Sequence, residues 1–180
     1  MVLKSHKQQL KEAIMESLTA PAPIIRSHAD GEERWFFGGG VHTWLARQED
    51  TGGAYFLFED VMERGKVTPL HTHPTDESMY VVDGEILMHM DGHEESVSAG
   101  GLVLAPRGVR HAFLVLSETA KVLSFHTSPG AQNFYLGASE PITAEHPASG
   151  IVDFDKIKAS GVANGGIEIL GPPPFSPPAS

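Results

Sequence analysis

Turns that contain glycine interrupt the middle of this chain at short intervals, and this feature constrains the fold more than any other. From Arg34 to about Ser128, short apolar runs alternate with such turns, a pattern typical of a β-meander. Asp83-Gly84 and Asp91-Gly92 are the clearest breaks, because Asp-Gly favours the type I′ turn of a β-hairpin. The pattern predicts strands near residues 40–47, 54–63, 77–82, 85–90, 93–98, 102–105, 110–116 and 120–127.

Strands that follow one another without helices between them predict an all-β barrel or sandwich, which hides its sheet edges. The 180 residues suit a single domain. Residues 1–33 form an N-terminal helix and arm in this interpretation, 34–128 the barrel, and 129–180 a C-terminal extension. Leu10, Ile14 and Leu18 indicate an amphipathic helix over Ser5–Thr19. A second helix is predicted over Asp153–Ala159, ending at Gly161, and a proline-rich tail follows over residues 172–178.

The composition excludes several kinds of partner and of site. The net charge is −10 and no Lys/Arg cluster is present, so neither nucleic acid nor membrane is an expected partner. The chain has no cysteine, which leaves nitrogen and oxygen as the ligands for any metal. Charged residues interrupt the first twenty positions, and no apolar run is long enough for a membrane helix. We therefore expect a cytoplasmic protein.

Two histidines separated by one residue provide the first chemical signal. His71 and His73 point to the same side of an extended segment, because side chains alternate along a strand. Glu77 opens the next predicted strand, and His111 follows the rigid turn Pro106-Arg107-Gly108. Three imidazoles and one carboxylate would suit one divalent first-row metal, which could be Fe, Mn, Co, Ni, Cu or Zn.

The spacing of these residues resembles that of the cupin family. Five residues separate Gly65 from His71, one separates His71 from His73, three separate His73 from Glu77, and six separate Glu77 from Gly84. This arrangement is similar to the first cupin motif. The resemblance implies a double-stranded β-helix, or jelly roll, with a metal held by His71, His73, Glu77 and His111.

A second cupin motif is matched with one departure. Five residues separate Gly100 from Pro106, one separates Pro106 from Gly108, and two separate Gly108 from His111. The motif often ends in Asn after three further residues, where this chain has Val115. That position is not a ligand, so the metal interpretation does not depend on it.

Three segments outside the motifs look like those of single-domain quercetin 2,3-dioxygenase-like cupins. They are residues 44–54, 129–141 and 166–173. The resemblance implies a dioxygenase that opens the ring of a flavonol or a related enolisable aromatic with dioxygen, with Glu77 as both ligand and base. Two alternatives stay open: a metal-dependent isomerase or lyase acting on an oxygenated small molecule, and a small-molecule binding protein without catalysis.

The surroundings of the cluster are less well determined by the sequence. Met79, Met88 and Phe113 are candidates for the substrate pocket, because core and pocket wall form one surface in a small barrel. His42 and His126 lie in predicted strands with apolar neighbours on both sides, so their facing stays undecided. We also expect a homodimer, because pairing with a second subunit can cover an edge strand.

Overall fold

The computed structural model describes residues 21–127 and 130–175, so the helix predicted over Ser5–Thr19 and the end of the tail lie outside the described residues. The described strands are β1 Glu32–Phe36, β2 Val41–Ala46, β3 Tyr55–Glu63, β4 Leu70–Thr72, β5 Glu77–Asp83, β6 Glu85–Met90, β7 His93–Ser98, β8 Leu102–Ala105, β9 His111–Val115, β10 Thr119–Thr127, β11 Ser139–Pro141 and β12 Glu168–Gly171. Two α-helices accompany them, α1 over Gln132–Gly137 and α2 over Phe154–Asn164, with 3₁₀ turns over His28–Asp30 and Gln48–Thr51.

The strands form two antiparallel sheets, as a jelly roll requires. One has seven strands in the order β11-β1-β2-β3-β10-β5-β8, and the other has five in the order β12-β4-β9-β6-β7. The predicted all-β jelly-roll class is confirmed. Neither described α-helix has the length and apolar character needed to cross a membrane.

The eight predicted strands correspond to β2, β3 and β5 to β10. Four described strands were not predicted. Strands β4 and β11 have three residues each, too few to show an alternating pattern. Strands β1 and β12 have no clean alternation of apolar and polar residues. Residues after 128 thus add one edge strand to each sheet, β11 and β12.

The two Asp-Gly turns behave differently. Asp91 and Gly92 both have positive φ and join β6 to β7 as the predicted hairpin. The hairpin predicted at Asp83-Gly84 is wrong, because β5 and β6 belong to different sheets. Gly84 is required there for another reason: a Cβ at this position would clash with the Thr119 carbonyl oxygen. The glycine allows the chain to pass close to β10 while crossing between sheets.

The helix α2 begins where the sequence predicted and ends later. Asp153 is its N-cap, and the carboxylate accepts a hydrogen bond from the Lys156 backbone N–H. The helix continues through Gly161 to Asn164, so the predicted end is wrong. Glycine within a helix costs only about 1 kcal/mol, whereas Gly165 has φ +64° and ends the helix.

Two apolar clusters fill the interior. The first lies between the seven-stranded sheet and the two helices and is rich in aromatic residues, among them Trp44, Phe56, Phe58 and Phe134. The second lies farther along the barrel and contains mainly aliphatic residues and methionine, such as Met79, Val81, Ile86 and Val122. The candidate site lies where the two sheets face each other beside these clusters.

Candidate metal centre

The three predicted histidine ligands and the predicted carboxylate ligand converge in the structure. His71 lies in β4, His73 directly follows it, Glu77 opens β5, and His111 opens β9. One potential ligand atom from each residue lies within 4.8 Å of those of the other three, and all four residues are buried. Because β4 and β9 pair with His71 opposite His111, a short strand contact brings the second motif to the first.

Each of these histidines is oriented by the backbone carbonyl of another residue. The Nδ1–H of His71 donates to Pro69 O at 2.7 Å, that of His73 to Gly166 O at 2.8 Å, and that of His111 to Val109 O at 2.9 Å. A carbonyl can only accept, so the proton is on Nδ1 in each ring and the Nε2 lone pair of a neutral ring is left for a metal.

Glu77 lies at the centre of the cluster. Its Oε2 is 2.9 Å from His111 Nε2 and 3.5 Å from His73 Nε2, while its Oε1 is 3.3 Å from Nε2 of His126. Burial acts to raise the pKa of Glu77, but the surrounding imidazoles, His126 and His111 first, outweigh it and hold this pKa well below its ordinary value. Glu77 is therefore ionised at neutral pH.

Burial keeps two of the predicted ligand histidines neutral. It lowers the pKa of His71 to about 4 and that of His73 to about 3, and the nearby carboxylate only partly opposes the effect. Burial also acts to lower the pKa of His111, but the hydrogen bond to Glu77 outweighs it and the pKa is raised. Neutral imidazole is the form that binds a metal.

The donor set fits a divalent metal. His73 Nε2 is buried without a hydrogen-bond partner, although it points at a carboxylate 3.5 Å away. A buried polar atom of this kind is rare and calls for an explanation. A cation among the four groups would use this lone pair, so the cluster could hold a metal ion; N₃O ligation is compatible with several metals and does not identify one.

His126 is the residue near the cluster that sequence reasoning left undecided. It lies in β10, is fully buried, and stacks on Phe56 with ring centroids 4.7 Å apart. In β10 the residues Ala120, Val122, Ser124 and His126 face inward, and the strand register places His126 opposite Glu77. Lys121 and Thr127 on the opposite phase were the available sequence signal, since both are polar and alternate with the inner set.

An exposed ion pair connects the two loops that carry the ligands. Asp76, directly before Glu77, accepts hydrogen bonds from the Arg107 backbone N–H at 3.0 Å and from its guanidinium at 2.9 Å. Gly108 N–H donates to the His73 carbonyl at 2.9 Å. The side-chain and backbone hydrogen bonds from Arg107 hold the pKa of Asp76 below its ordinary value. The turn before β9 is thereby fixed to the turn before β5.

A narrow, mainly apolar cavity opens beside the cluster. It is lined by His71, Glu77 and His111 at one end, and two of the three predicted pocket residues, Met79 and Phe113, also line it. Met88 does not. Met88 lies on β6, opposite Phe113 of β9, and packs into the aliphatic cluster. It borders a different groove, beside β7 and β8.

A family model described as a cupin domain matches residues 58–126, a range that includes all four residues of the cluster and His126. The two facing antiparallel sheets described above agree with this match. The chain belongs to the cupin superfamily. Val115, at the position where the second cupin motif often has Asn, is buried and uses its backbone to pair with the loop at residues 65–66.

Two curated proteins are similar to this chain over part of their length. The chain is 30% identical over 130 residues to quercetin 2,3-dioxygenase of Bacillus subtilis. The aligned region covers 69% of this chain and 37% of that protein. The chain is 29% identical over 101 residues to Polyketide synthase CurC of Streptomyces cyaneus. This aligned region covers 56% of this chain and 66% of that protein. This cupin therefore spans just over a third of the first relative and just under two thirds of the second.

Solved structures support the fold. KdgF from Halomonas sp. superposes with a TM-score of 0.55 at 18% identity, covering 60% of this chain and 96% of that one. An identity this low carries information about the fold alone.

Proposed function

We propose that this cupin is a metal-dependent dioxygenase that opens the ring of a flavonol or a related enolisable aromatic. The observation that carries the proposal is the convergence of three imidazole Nε2 atoms, each oriented by a backbone carbonyl, on an ionised carboxylate inside an apolar cavity. The similarity to quercetin 2,3-dioxygenase of Bacillus subtilis supports the choice of substrate class.

His71, His73, Glu77 and His111 would hold the metal. When bound, a divalent transition metal would supply Lewis acidity to the substrate hydroxyl and a site for dioxygen. The chain's own contribution is proton transfer and exclusion of water. Glu77 accepts the hydroxyl proton of the substrate, and the aromatic and aliphatic walls keep the resulting anion away from solvent.

His126 is in a position to receive part of that charge change. Its Nε2 lies 3.3 Å from Glu77 Oε1, on the carboxylate oxygen that does not contact His111. A hydrogen bond from this ring would steady the carboxylate while the other oxygen accepts the proton. His126 would then act as a positioning residue for Glu77.

The test combines metal analysis with oxygen uptake. Protein purified without added metal is analysed for bound metals, then mixed with quercetin in an oxygen electrode, under air and under nitrogen. The proposal requires close to one metal per chain, oxygen consumption on addition of quercetin, and carbon monoxide among the products. Quercetin unchanged under air by fully loaded protein would contradict it.

The second candidate is a metal-dependent reaction on an oxygenated small molecule without consumption of dioxygen, such as an isomerisation or lyase reaction. The similarity to Polyketide synthase CurC favours this candidate over a binding protein without catalysis. Substrate conversion that proceeds equally under nitrogen would support it.

A further inference from the structure

A second buried polar cluster lines the same cavity as the candidate metal centre. Lys66 Nζ lies 2.9 Å from Asp60 Oδ2, and His42 Nε2 lies 3.4 Å from the same oxygen. The side chains of Lys66, Asp60 and His42 are 6%, 7% and 2% exposed. Charged groups are seldom buried to this extent without a specific reason. We call these three residues the Lys66 cluster.

The Lys66 cluster has unused hydrogen-bonding capacity. Asp60 Oδ1 and His42 Nδ1 are buried without a partner. The Lys66 ammonium carries three N–H donors. Among the described residues it donates one hydrogen bond, to Asp60. The ammonium also lies over two aromatic rings, 5.1 Å from the ring centroid of Phe36 and 5.8 Å from that of Phe113. Lys66 therefore has donors left for a ligand that enters the cavity.

The backbone creates the space for this arrangement. Gly40 has φ +106°, and a Cβ there would lie 2.6 Å from Asp60 Oδ1 and 3.1 Å from Lys66 Nζ. The Lys66 carbonyl accepts from Val115 N–H at 2.9 Å, while Gly65 N–H donates to the Val115 carbonyl at 3.1 Å. The loop that carries Lys66 is thus anchored to the end of β9, the strand that begins with His111.

The Lys66 cluster and the metal centre lie at two ends of one aromatic-walled space. Phe113, which contacts Lys66, lies two residues after His111 on the same face of β9, about 7 Å along the strand. Tyr135 packs beside both ends: its ring centroid lies 5.9 Å from that of His42 and 6.2 Å from that of His73. A flat molecule between the ends would face carbon on its sides and nitrogen or oxygen at its tips.

The charges at the two ends differ. Burial lowers the pKa of His42, so this ring is neutral at pH 7, and Asp60 with Lys66 forms a balanced pair. The free donors of the cluster all belong to its cation. An acceptor oxygen with negative charge would gain a charge-assisted hydrogen bond there, which is stronger than a neutral one.

We propose that Lys66, held in place by Asp60, binds an anionic oxygen of an aromatic substrate, either a phenolate or a carboxylate, while a second oxygen of that molecule faces the candidate metal centre. This inference rests on the proposed function and adds the substrate feature that the cavity selects. The preferred substrate carries oxygen at both ends of a flat ring system.

The test compares two flavonols under nitrogen, where binding is measured without turnover. 3-Hydroxyflavone has one hydroxyl, which the metal end would take, whereas quercetin has further hydroxyls, one of which the proposal places at Lys66. Calorimetric titration of metal-loaded wild type and Lys66→Met gives the ratio of the two dissociation constants. A hydrogen bond to a charged group contributes about 1.5–3 kcal/mol, so the preference for quercetin should fall about 10- to 150-fold.

Two further variants separate binding from folding. Lys66→Met leaves Asp60 as an unpaired buried charge, so the double variant Lys66→Met/Asp60→Asn is made as well, and it should lose the same preference while keeping a cooperative melting transition. Lys121→Met is the matched control, because this half-exposed lysine pairs with Glu59 on the outer face of the sheet. Its preference should equal that of wild type.

The outcomes distinguish this inference from the proposed function. An unchanged preference in both Lys66 variants overturns the inference, and so does the absence of binding by either flavonol to loaded wild type. If wild type prefers quercetin through Lys66 but consumes no oxygen under air, the dioxygenase proposal fails and the Lys66 anchor stands. Equal oxygen uptake with both flavonols in wild type and variants supports the dioxygenase and overturns the anchor.

Discussion

At the scale of single residues, the cluster depends on how each imidazole is held. Nδ1–H of His71, His73 and His111 each donates to a backbone carbonyl, which fixes both the tautomer and the ring plane. Two of these carbonyls, Pro69 and Val109, lie two residues before the histidine they orient. The third belongs to Gly166, far along the chain. The orientation of these three rings is therefore fixed partly by residues near in sequence and partly by the tertiary structure.

Glu77→Gln separates metal binding from catalysis. Glutamine keeps an oxygen of similar size but cannot accept a proton as a carboxylate does. Turnover per bound metal should fall about 100- to 10,000-fold, the usual contribution of a positioned base, while metal content falls less. Metal analysis and oxygen uptake on the same sample measure both. Near-normal turnover per metal would mean that Glu77 serves as a ligand only.

Gly40→Ala tests the close packing around the Lys66 cluster. The new Cβ would meet Asp60 Oδ1 at 2.6 Å in a backbone conformation that favours glycine, so we expect a loss of about 1–3 kcal/mol in the free energy of unfolding. Urea denaturation measures it. Gly53→Ala is the control, because Gly53 has φ +82° with nothing within 4 Å. Equal losses in both variants would show that packing at Gly40 has no effect.

At the scale of elements, the turns before β5 and β9 act together. Asp76 connects them through Arg107 and also accepts a hydrogen bond from Thr127 Oγ1 at 3.3 Å, at the end of β10. Three elements thus meet beside Glu77 and His111. The Asp76 carboxylate is the acceptor in each of these hydrogen bonds, so their strength depends on its negative charge.

Asp76→Asn should show a pH-dependent loss of stability. The pKa of Asp76 is lowered in the folded protein by Arg107, from 3.8 in the reference state. Its contribution is therefore present above pH 3.8 and is lost as the pH falls through the lower folded value. The difference in Tm between wild type and variant should be largest near pH 7 and shrink below pH 4. Asp83→Asn, an exposed carboxylate outside this network, is the control; a difference independent of pH would contradict the expectation.

At the scale of the whole molecule, the cluster joins the two sheets. His71 and His111 come from the five-stranded sheet, and Glu77 comes from the seven-stranded one. An ion bound to all of them would connect the sheets through the interior, in addition to the apolar clusters. Binding to the native state alone stabilises it by RT ln(1 + [L]/Kd).

Metal removal should therefore lower the melting temperature. At a free metal concentration 100 times Kd, the ion adds about 2.7 kcal/mol, and a chelator should remove this contribution. His73→Ala and His111→Ala should lose both the bound metal and the effect of the chelator. His146→Ala serves as the control, because His146 is exposed and, within the part of the chain that the structure describes, its hydrogen bonds are to the nearby Thr143. Stoichiometric metal in both ligand variants would rule out the proposed site.

The predicted homodimer also belongs to this scale. Strand β8 ends the seven-stranded sheet, and Leu102 and Leu104 on its outer face are 64% and 55% exposed, beside the exposed Tyr80 and Val82 of β5. Light scattering should give a dimer mass, and Leu102→Glu/Leu104→Glu should shift it to monomer. A wild-type monomer mass at every concentration would contradict the prediction.

The alternation of side chains determined much of this protein from the sequence. It placed eight strands and put His71 and His73 on one face, because residues two apart on a strand share a face whatever the strand pairs with. The resemblance to the two cupin motifs added Glu77 and His111 to this pair. The positions of the apolar residues alone did not say which face of a strand with apolar residues on both sides would be internal. His42 and His126 were undecided for this reason.

Only the tertiary structure decided which segments meet. The Gly166 carbonyl orients His73 from far along the chain, β12 covers β4, and Gly84 carries the chain between sheets where a hairpin was predicted. Lys66 and Asp60 lie in a loop and on an inner strand face, with no spacing that marks them as a pair. Local pattern fixes the period and the facing of neighbours relative to each other, whereas contacts distant in sequence depend on how both sheets close around one interior.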